Sequence, residues 1–337
     1  MSNRASRRIP IAIIFILIFV SALVAFKPIN NTDYLTNIEA LHNVTRGIDP
    51  YFGHFLVIPP WAFILMLPIS TQPLNVWLAL TIALFVTMVI DLGSWSALWL
   101  MLSPAFLALV ASSNVEWIMI GSGLWLSYRS GNRGYARGVA WLLLTCKPQT
   151  TFIFLIFDGI RAVHQRDWRA FAVSGTVAGI CLAIWPGFLN NMGVFQMFSV
   201  STVYYYGVPG ALLATLFIVA VRWSRRSDWR TLGLLLAPLW TPYMLEYSLL
   251  ASAFTVRRGG WLRIILYVVG SLAAAGRFWQ QYHVAEPAGA LAMVLLAAVL
   301  APGITRRLDL SRLKLLLLPR SIPIWQAEAR ERLNPTP

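Results

Sequence analysis

Long apolar segments alternate with short polar segments along most of this chain. The first apolar segment, Ile9–Phe26, follows three arginines near the amino terminus, Arg4, Arg7 and Arg8. A helix needs about 20 apolar residues to cross roughly 30 Å of hydrocarbon, and this segment is nearly that long. It is also longer than the apolar core of a typical signal peptide. The pattern therefore predicts an uncleaved signal-anchor helix whose amino terminus lies in the cytoplasm.

The composition strengthens the membrane interpretation. Of the 337 residues, 58% are hydrophobic and only 12% are charged, whereas about 25% are charged in an average soluble domain. The 13% of aromatic residues and the long aliphatic runs exclude a disordered chain. We therefore predict an all-α, polytopic transmembrane helix bundle. Residues 1–320 would form one integral membrane domain with about 8–10 membrane helices, and 321–337 a cytoplasmic tail.

The net charge of +14 raises the question of nucleic-acid binding, which the placement of the charges argues against. Lys and Arg occur in short clusters between apolar segments, the distribution that the positive-inside rule describes. These clusters, which we place in the cytoplasm, are at residues 129–137, 161–169, 222–230, 257–263 and 306–320. Loops 27–55, 187–207 and 276–287 are poor in positive charge, so we place them outside. Both termini are then cytoplasmic, at a bacterial plasma membrane.

Two apolar segments, 139–157 and 231–256, have basic clusters on both flanks. A single crossing would put one cluster outside. Each segment also contains prolines, which bend or end a helix; they stand in Cys146-Lys147-Pro148-Gln149 of the first, and at Pro238 and in Thr241-Pro242-Tyr243 of the second. We therefore favour broken, re-entrant hairpins, which are tolerated at membrane depth when they are buried in protein. The alternative is two kinked full spans with some arginines outside.

The region 56–128 contains four apolar stretches but must supply an odd number of crossings to keep the charge pattern consistent. The shortest of them, 56–69, is the one that we expect not to span.

Charged groups at membrane depth are costly, so each one suggests a function. In the apolar segments these are Lys147, Glu246 and Glu116.

The first outer loop adds a dense polar set: Lys27, Asp33, Glu39, His42, Arg46, Asp49 and His54. Residues 32–46 have helical character, with Thr32 as a plausible N-cap and Asp33 in the first turn, where a carboxylate suits the helix dipole. Taken alone, Asp33 has a capping role as its simplest interpretation. Asp49, beside Pro50-Tyr51, is expected to fix the turn of the loop.

The order of motifs resembles that of the GT-C superfamily of membrane glycosyltransferases, most closely glycosyltransferase family 87, which uses polyprenol-phosphate-mannose. The matching elements are Asp33 after the first helix, Gly47-Ile48-Asp49-Pro50-Tyr51, Pro59-Pro60 with Pro68, Lys147-Pro148-Gln149, Trp185-Pro186, and Pro242-Tyr243-Met244-Leu245-Glu246-Tyr247. The chain departs from the family pattern at Ile58, at Ser248 and at Ser113-Asn114-Val115-Glu116, which replaces a Gly-Gln-x-Asn-like element.

This resemblance implies an inverting glycosyltransferase. It would move mannose or a related sugar from a polyprenyl-phosphate donor to a glycan or lipid acceptor on the outer face, without metal or cofactor. Asp33 would take the proton of the acceptor hydroxyl as general base. Lys147, Arg46 and Arg277 would offset charge on the departing phosphate, with His42 and His54 as donors. Gln149, Tyr243 and Glu246 are assigned to the substrate by their motifs.

Several alternatives stay open at this point. Lys147 could instead form a structural ion pair with Glu246, and Arg277 could reach toward the membrane interface. The runner-up function is a lipid or solute transporter or flippase that uses buried Lys147 and Glu246. Transporters usually contain internal repeats, and the sequence has none that we detect. A structural membrane subunit is the third option, which leaves the polar elements from Asp33 to Pro60 without a role.

Overall fold

The computed structural model describes residues 5–25, 32–51, 58–67, 73–92, 95–112, 114, 117–129, 133–191, 202–222, 229–240, 250–256 and 261–274. Within these ranges the chain is helical and contains no strand, so the predicted all-α class is confirmed.

The α-helices follow one another with short connections, and one 3-10 segment covers Trp95–Leu102. Their bounds are α1 Ala5–Ala25, α2 Thr32–Thr45, α3 Pro60–Met66, α4 Leu74–Leu92, α5 Pro104–Ser112, α6 Trp117–Arg129, α7 Tyr135–Leu144, α8 Pro148–His164, α9 Trp168–Ile184, α10 Gly187–Asn191, α11 Thr202–Arg222, α12 Trp229–Trp240, α13 Leu250–Val256 and α14 Trp261–Ala274. Gly207, at φ 66°, interrupts α11 near its start.

One helix in the described part of the chain, α4, is both long and apolar enough to cross a membrane. Shorter apolar helices are Ile11–Ala25, Tyr135–Leu144, Trp168–Ile184 and Gly207–Ala220. Helix α4 packs against α1 and α6, and most of its side chains are buried. It therefore belongs to the core of the bundle.

Three elements of the amino-terminal half agree with the sequence predictions. The helix expected from Ile9 onward is α1, and the helix expected in the first outer loop is α2, of which Thr32 is the first residue. In the described part of the stretch 56–69, residues 58–67, the helix is α3, whose seven residues extend about 10 Å, too short to span a bilayer.

Helices α7 and α8 form an antiparallel hairpin that breaks at Cys146 and Lys147. Asp158 of α8 lies beside α7: its Oδ2 accepts a hydrogen bond from Trp141 Nε1 at 2.9 Å and is 3.4 Å from Arg137 Nε. One continuous helix would separate residues 137 and 158 by about 30 Å. The predicted hairpin is therefore confirmed, while its depth in a membrane stays a prediction.

Several basic residues meet at one end of the bundle, which we call the basic end: Arg133, Arg137, Arg166, Arg169 and Arg230. The turn after α8 returns to the start of α7, where Asp167 Oδ1 accepts a hydrogen bond from Gly134 N at 2.9 Å. The start of α12 reaches the same end, because Arg230 Nη1 donates to the carbonyl of Ser127, two residues before the end of α6. Clusters far apart in sequence thus share one end.

Pro238 does not itself end its helix, but α12 ends two residues later, at Trp240. A proline inside a helix leaves the carbonyl four residues earlier without its usual donor. Here that carbonyl belongs to Leu234, and Ser252 Oγ of α13 donates to it at 3.2 Å. A neighbouring serine therefore replaces the lost bond. The second predicted breaker, Thr241-Pro242-Tyr243, lies outside the described residues.

Candidate functional site

Four segments that are distant in sequence converge at the end of the bundle opposite the basic end. We call this the motif end, and define it by residues 47–51, 58–61, 146–149 and 185–188. Helices α7 and α9 both start at the basic end and finish at the motif end, about 15 Å and 25 Å away along their axes. Four of the elements that carry the family resemblance thus lie together.

Asp49 ties the first loop to the segment after α9. Its Oδ1 accepts a hydrogen bond from Tyr51 N at 2.9 Å, and its Oδ2 accepts one from Gly187 N at 3.3 Å. Gly187 has no room for a larger residue, because an added Cβ would lie 2.6 Å from Asp49 Oδ2. The expectation that Asp49 fixes the turn of the loop is confirmed.

Tyr51 fills the space beneath this turn. Its ring contacts Phe63 of α3 and Phe188 of α10, with centroids 5.9 and 5.6 Å away. Its hydroxyl donates to the carbonyl of Ile58. Burial, and then the nearby Asp49 carboxylate, raise the pKa of Tyr51 well above its usual value. Tyr51 is therefore neutral and serves to hold the loop in place.

The paired prolines open α3 and set it against the end of α7. Pro60 occupies the first position of the helix, where a missing amide hydrogen costs nothing. Trp61, next to it, donates from Nε1 to the carbonyl of Leu142 at 2.9 Å. This bond joins the first loop to the break between α7 and α8, so that the Pro-Pro and Lys-Pro-Gln motifs share a common support.

Lys147 lies at this break with its side chain buried and 4% of the residue exposed. Its Nζ donates to Asn114 Oδ1 at 3.4 Å, and Asn114 is itself 1% exposed, just before α6. Lys147 is the N-cap residue of α8, and its carbonyl accepts hydrogen bonds from Thr150 N at 3.1 Å and from Thr150 Oγ1 at 2.9 Å. Two elements of the resemblance, the Lys-Pro-Gln motif and the departing Ser-Asn-Val-Glu motif, are thereby brought into contact.

The other predicted site residues have different surroundings. His42 and Arg46 are exposed at the carboxyl end of α2, and Gln149 is half-buried in the first turn of α8. Asp33 lies in the first turn of α2, about 14 Å along the axis from His42, but its side chain is not among those described. His54, Glu116, Tyr243, Glu246 and Arg277 lie outside the described residues, so the Lys147–Glu246 pair stays a prediction.

Sequence reasoning missed Asn37, which is 2% exposed on α2. Its Nδ2 finds no acceptor among the described residues, which is unusual for a buried amide. Asn37 is four positions after Asp33, so both residues belong to the same face of α2. Helix α2 was expected in an outer loop, so an asparagine within it gave no sign of burial. The helical spacing between Asn37 and Asp33 is the signal that would have identified it.

Comparison with family models, with curated proteins and with solved structures finds no match to this chain.

Proposed function

We propose that this chain is a multi-pass membrane glycosyltransferase with its basic end in the cytoplasm and its motif end at the outer face. It transfers a sugar from a polyprenyl-phosphate donor to a glycan or lipid acceptor, with inversion at the anomeric carbon. The observation that supports this best is the convergence of Asp49, Pro59-Pro60, Lys147 and Trp185-Pro186 at one end of the bundle, with the arginine clusters at the other.

The surface of the bundle supports the membrane part of the proposal. Helices α9 and α11 carry large apolar side chains that are more than half exposed, among them Ile180, Ile184, Val208 and Leu213. Such a surface is unusual on a protein surrounded by water, but it is the normal outer face of a helix in lipid. Arginines at one end of apolar helices fit the positive-inside rule.

The proposed reaction is a direct displacement. The acceptor oxygen forms a bond to the anomeric carbon while the bond from that carbon to the phosphate oxygen breaks, and polyprenyl phosphate leaves with the electron pair. The acceptor proton passes to the carboxylate of Asp33, the general base. Lys147 is the buried cation at the motif end that would stabilise the charge on the leaving phosphate. Asn37, on the face of Asp33, supplies a buried amide donor to a substrate hydroxyl.

The assignment of Asp33 is tested by Asp33→Asn in the full chain reconstituted with polyprenyl-phosphate-sugar and acceptor. Asparagine keeps the shape of the side chain but accepts no proton at neutral pH, so we expect turnover to fall at least about a hundredfold. Donor binding and the unfolding temperature should change little. Glu39→Gln, an exposed carboxylate on the same helix, is the matched control and should retain transfer. Normal transfer by Asp33→Asn with loss in Glu39→Gln would contradict the assignment.

Lys147→Met separates a role in phosphate binding from a structural one. If Lys147 meets the donor phosphate, the variant should bind the donor at least about tenfold more weakly while its unfolding temperature in detergent stays close to that of the parent. Losing one partner of a buried ion pair instead costs about 3–5 kcal/mol. A strong loss of stability that Lys147→Met/Glu246→Gln partly restores would therefore contradict the phosphate role and favour the ion pair.

A further inference from the structure

The basic end contains an open groove of about 860 Å³ between the start of α7 and the turn that joins α8 to α9. Three arginines line it, Arg133, Arg166 and Arg169, and all three are exposed. The acidic residue of the lining, Asp167, is engaged by Arg137 Nη1 at 2.8 Å and by Gly134 N. The groove therefore presents positive charge that its own carboxylate does not neutralise.

Two helix amino termini meet at the groove. Helix α7 begins at Tyr135 and α9 begins at Trp168, and the Asp167 carboxylate lies at both starts, because Asp167 is the N-cap residue of α9 and accepts a hydrogen bond from Gly134 N, the N-cap residue of α7. The two helices run in the same direction and touch, because an added Cβ on Gly138 would lie 2.7 Å from the carbonyl oxygen of Ala170. Their positive dipole ends thus offset the charge of Asp167, which leaves the three exposed arginines to attract an anion.

The backbone of Arg166 has a conformation that is uncommon for arginine. Arg166 has φ 53°, in the left-handed region. It follows α8 at the position where helices commonly end with glycine, and Asp167 N closes the turn on the carbonyl of Ala162 at 2.9 Å. An arginine here carries backbone strain that glycine would avoid. Strained residues of this kind concentrate at binding sites.

Contacts of the buried Arg137 side chain hold the segments that line the groove in place. Arg137 is 1% exposed, and besides Asp167 it contacts Asp158 of α8 and donates from Nη2 to Gln165 Oε1 at 2.9 Å. One buried guanidinium thus joins α7, α8 and the turn that bears Arg166. The backbone segments that carry the groove are therefore fixed relative to one another.

The rim of the groove is aromatic. Tyr135 and Trp168 are 64% and 60% exposed, and the Arg169 guanidinium lies 5.8 Å from the centre of the Tyr135 ring. Exposed tyrosine and tryptophan are typical of the level of lipid head groups. We infer that this groove binds the phosphate of an acidic phospholipid head group in the cytoplasmic leaflet. The inference rests on the membrane placement proposed above; a soluble phosphate ester shares the chemistry but makes no use of the aromatic rim.

The test uses the full chain in a neutral detergent, titrated with dioctanoyl phosphatidylglycerol, dioctanoyl phosphatidylcholine or inorganic phosphate. Bound lipid is counted by native mass spectrometry, and the unfolding temperature is recorded in parallel. We expect phosphatidylglycerol to bind and to raise the unfolding temperature, and phosphatidylcholine and phosphate to do neither. Arg169→Gln and Arg166→Gly should each weaken phosphatidylglycerol binding about fivefold. Arg161→Gln, an exposed arginine of α8 outside the groove, should bind as the parent does.

Arg166→Gly separates lost binding from lost folding. Because glycine relieves the backbone strain, the lipid-free variant should unfold at the same or a higher temperature than the parent while it binds lipid more weakly. Equal binding of both lipids, equal binding by Arg161→Gln and the groove variants, or a response to inorganic phosphate in place of lipid would each overturn the inference. Sugar transfer occurs at the opposite end, so these results are independent of the Asp33 test.

Discussion

The carboxylate of Asp49 connects two loops that are 138 residues apart in sequence. It accepts one hydrogen bond from its own loop and one from Gly187, and the missing side chain of Gly187 creates the space for it. The loop after α2 is thereby fixed against the end of α9. At the scale of single residues, this fit holds two segments of the motif end together.

We expect Gly187→Ala to reduce stability by about 1–3 kcal/mol, because the new methyl group displaces Asp49 Oδ2. Asp49→Ala should cost about 1.5–3 kcal/mol through two lost hydrogen bonds to a charged acceptor. In the double variant the methyl group at position 187 no longer meets the Asp49 carboxylate. Its loss of stability should therefore be clearly smaller than the sum of the losses in the two single variants. Urea or thermal unfolding in detergent measures this cycle, and strict additivity would show that the two residues do not interact.

Single residues also show what the sequence could not predict. The role of Asp49 followed from its place before Pro50-Tyr51, because an aspartate that bonds the backbone two residues on is a local feature. The contact between Lys147 and Asn114 joins residues 33 positions apart. Nothing local encodes such a contact, since it depends on how α6, α7 and α8 pack. The burial of Asn37 also depends on packing, although its helical spacing to Asp33 is visible in the sequence.

At the scale of elements, α8 and α12 approach so closely that Gly233 faces the backbone of Phe154. An added Cβ on Gly233 would lie 2.6 Å from Phe154 Cα and 2.7 Å from its nitrogen. Backbone atoms move less readily than the end of a side chain. Small residues that allow two helices to touch are a common feature of membrane helix packing.

We expect Gly233→Ala to destabilise the protein by about 1–3 kcal/mol, since two backbones must separate. Gly159→Ala is the matched control on α8, where an added Cβ meets nothing within 4 Å. That variant should be neutral or up to about 1 kcal/mol more stable, because alanine favours helix. Thermal unfolding of the two variants side by side tests the difference, and equal effects would argue against close packing of α8 on α12.

The sequence predicted the ends of helices well where a single local feature sets them. The break before Pro148 follows from a proline at the first position of α8. Pro238 also lacks an amide hydrogen, but α12 continues for two residues beyond it. Ser252 of the neighbouring helix α13 donates a hydrogen bond to the carbonyl of Leu234, which Pro238 leaves without a donor. A proline in sequence therefore indicates a lost hydrogen bond, and tertiary structure decides whether the helix ends there.

At the scale of the whole molecule, the important feature is its polarity: basic residues lie at one end of the bundle and the motif segments lie at the other. The arginine clusters were assigned to one side from sequence, and parts of three of them, at 129–137, 161–169 and 222–230, lie at one end of the described structure. This could be predicted because charge placement follows a rule that does not need the fold. The membrane itself, the enzymatic activity and the family resemblance stay predictions.

Cysteine labelling tests this polarity in intact cells. The native cysteines, Cys146 and Cys181, are buried, so the parent protein should give little background. Asn190→Cys, exposed at the motif end, should react with a membrane-impermeant maleimide added outside. His164→Cys, exposed at the basic end, should react only after the membrane is opened. Labelling of His164→Cys from outside, with Asn190→Cys protected, would reverse the proposed orientation.

The hydrogen bond from Gly187 to Asp49 also has a consequence for protein synthesis, because it joins an early segment of the chain to a much later one. A ribosome adds about 5–20 residues per second, so roughly 7–28 s pass between the appearance of the first of these residues and the second. During that interval the loop that bears Asp49 has no segment after α9 to hold it. The motif end is therefore completed late, after more than half of the chain has been synthesised, and a nascent chain that stops before Gly187 lacks this contact.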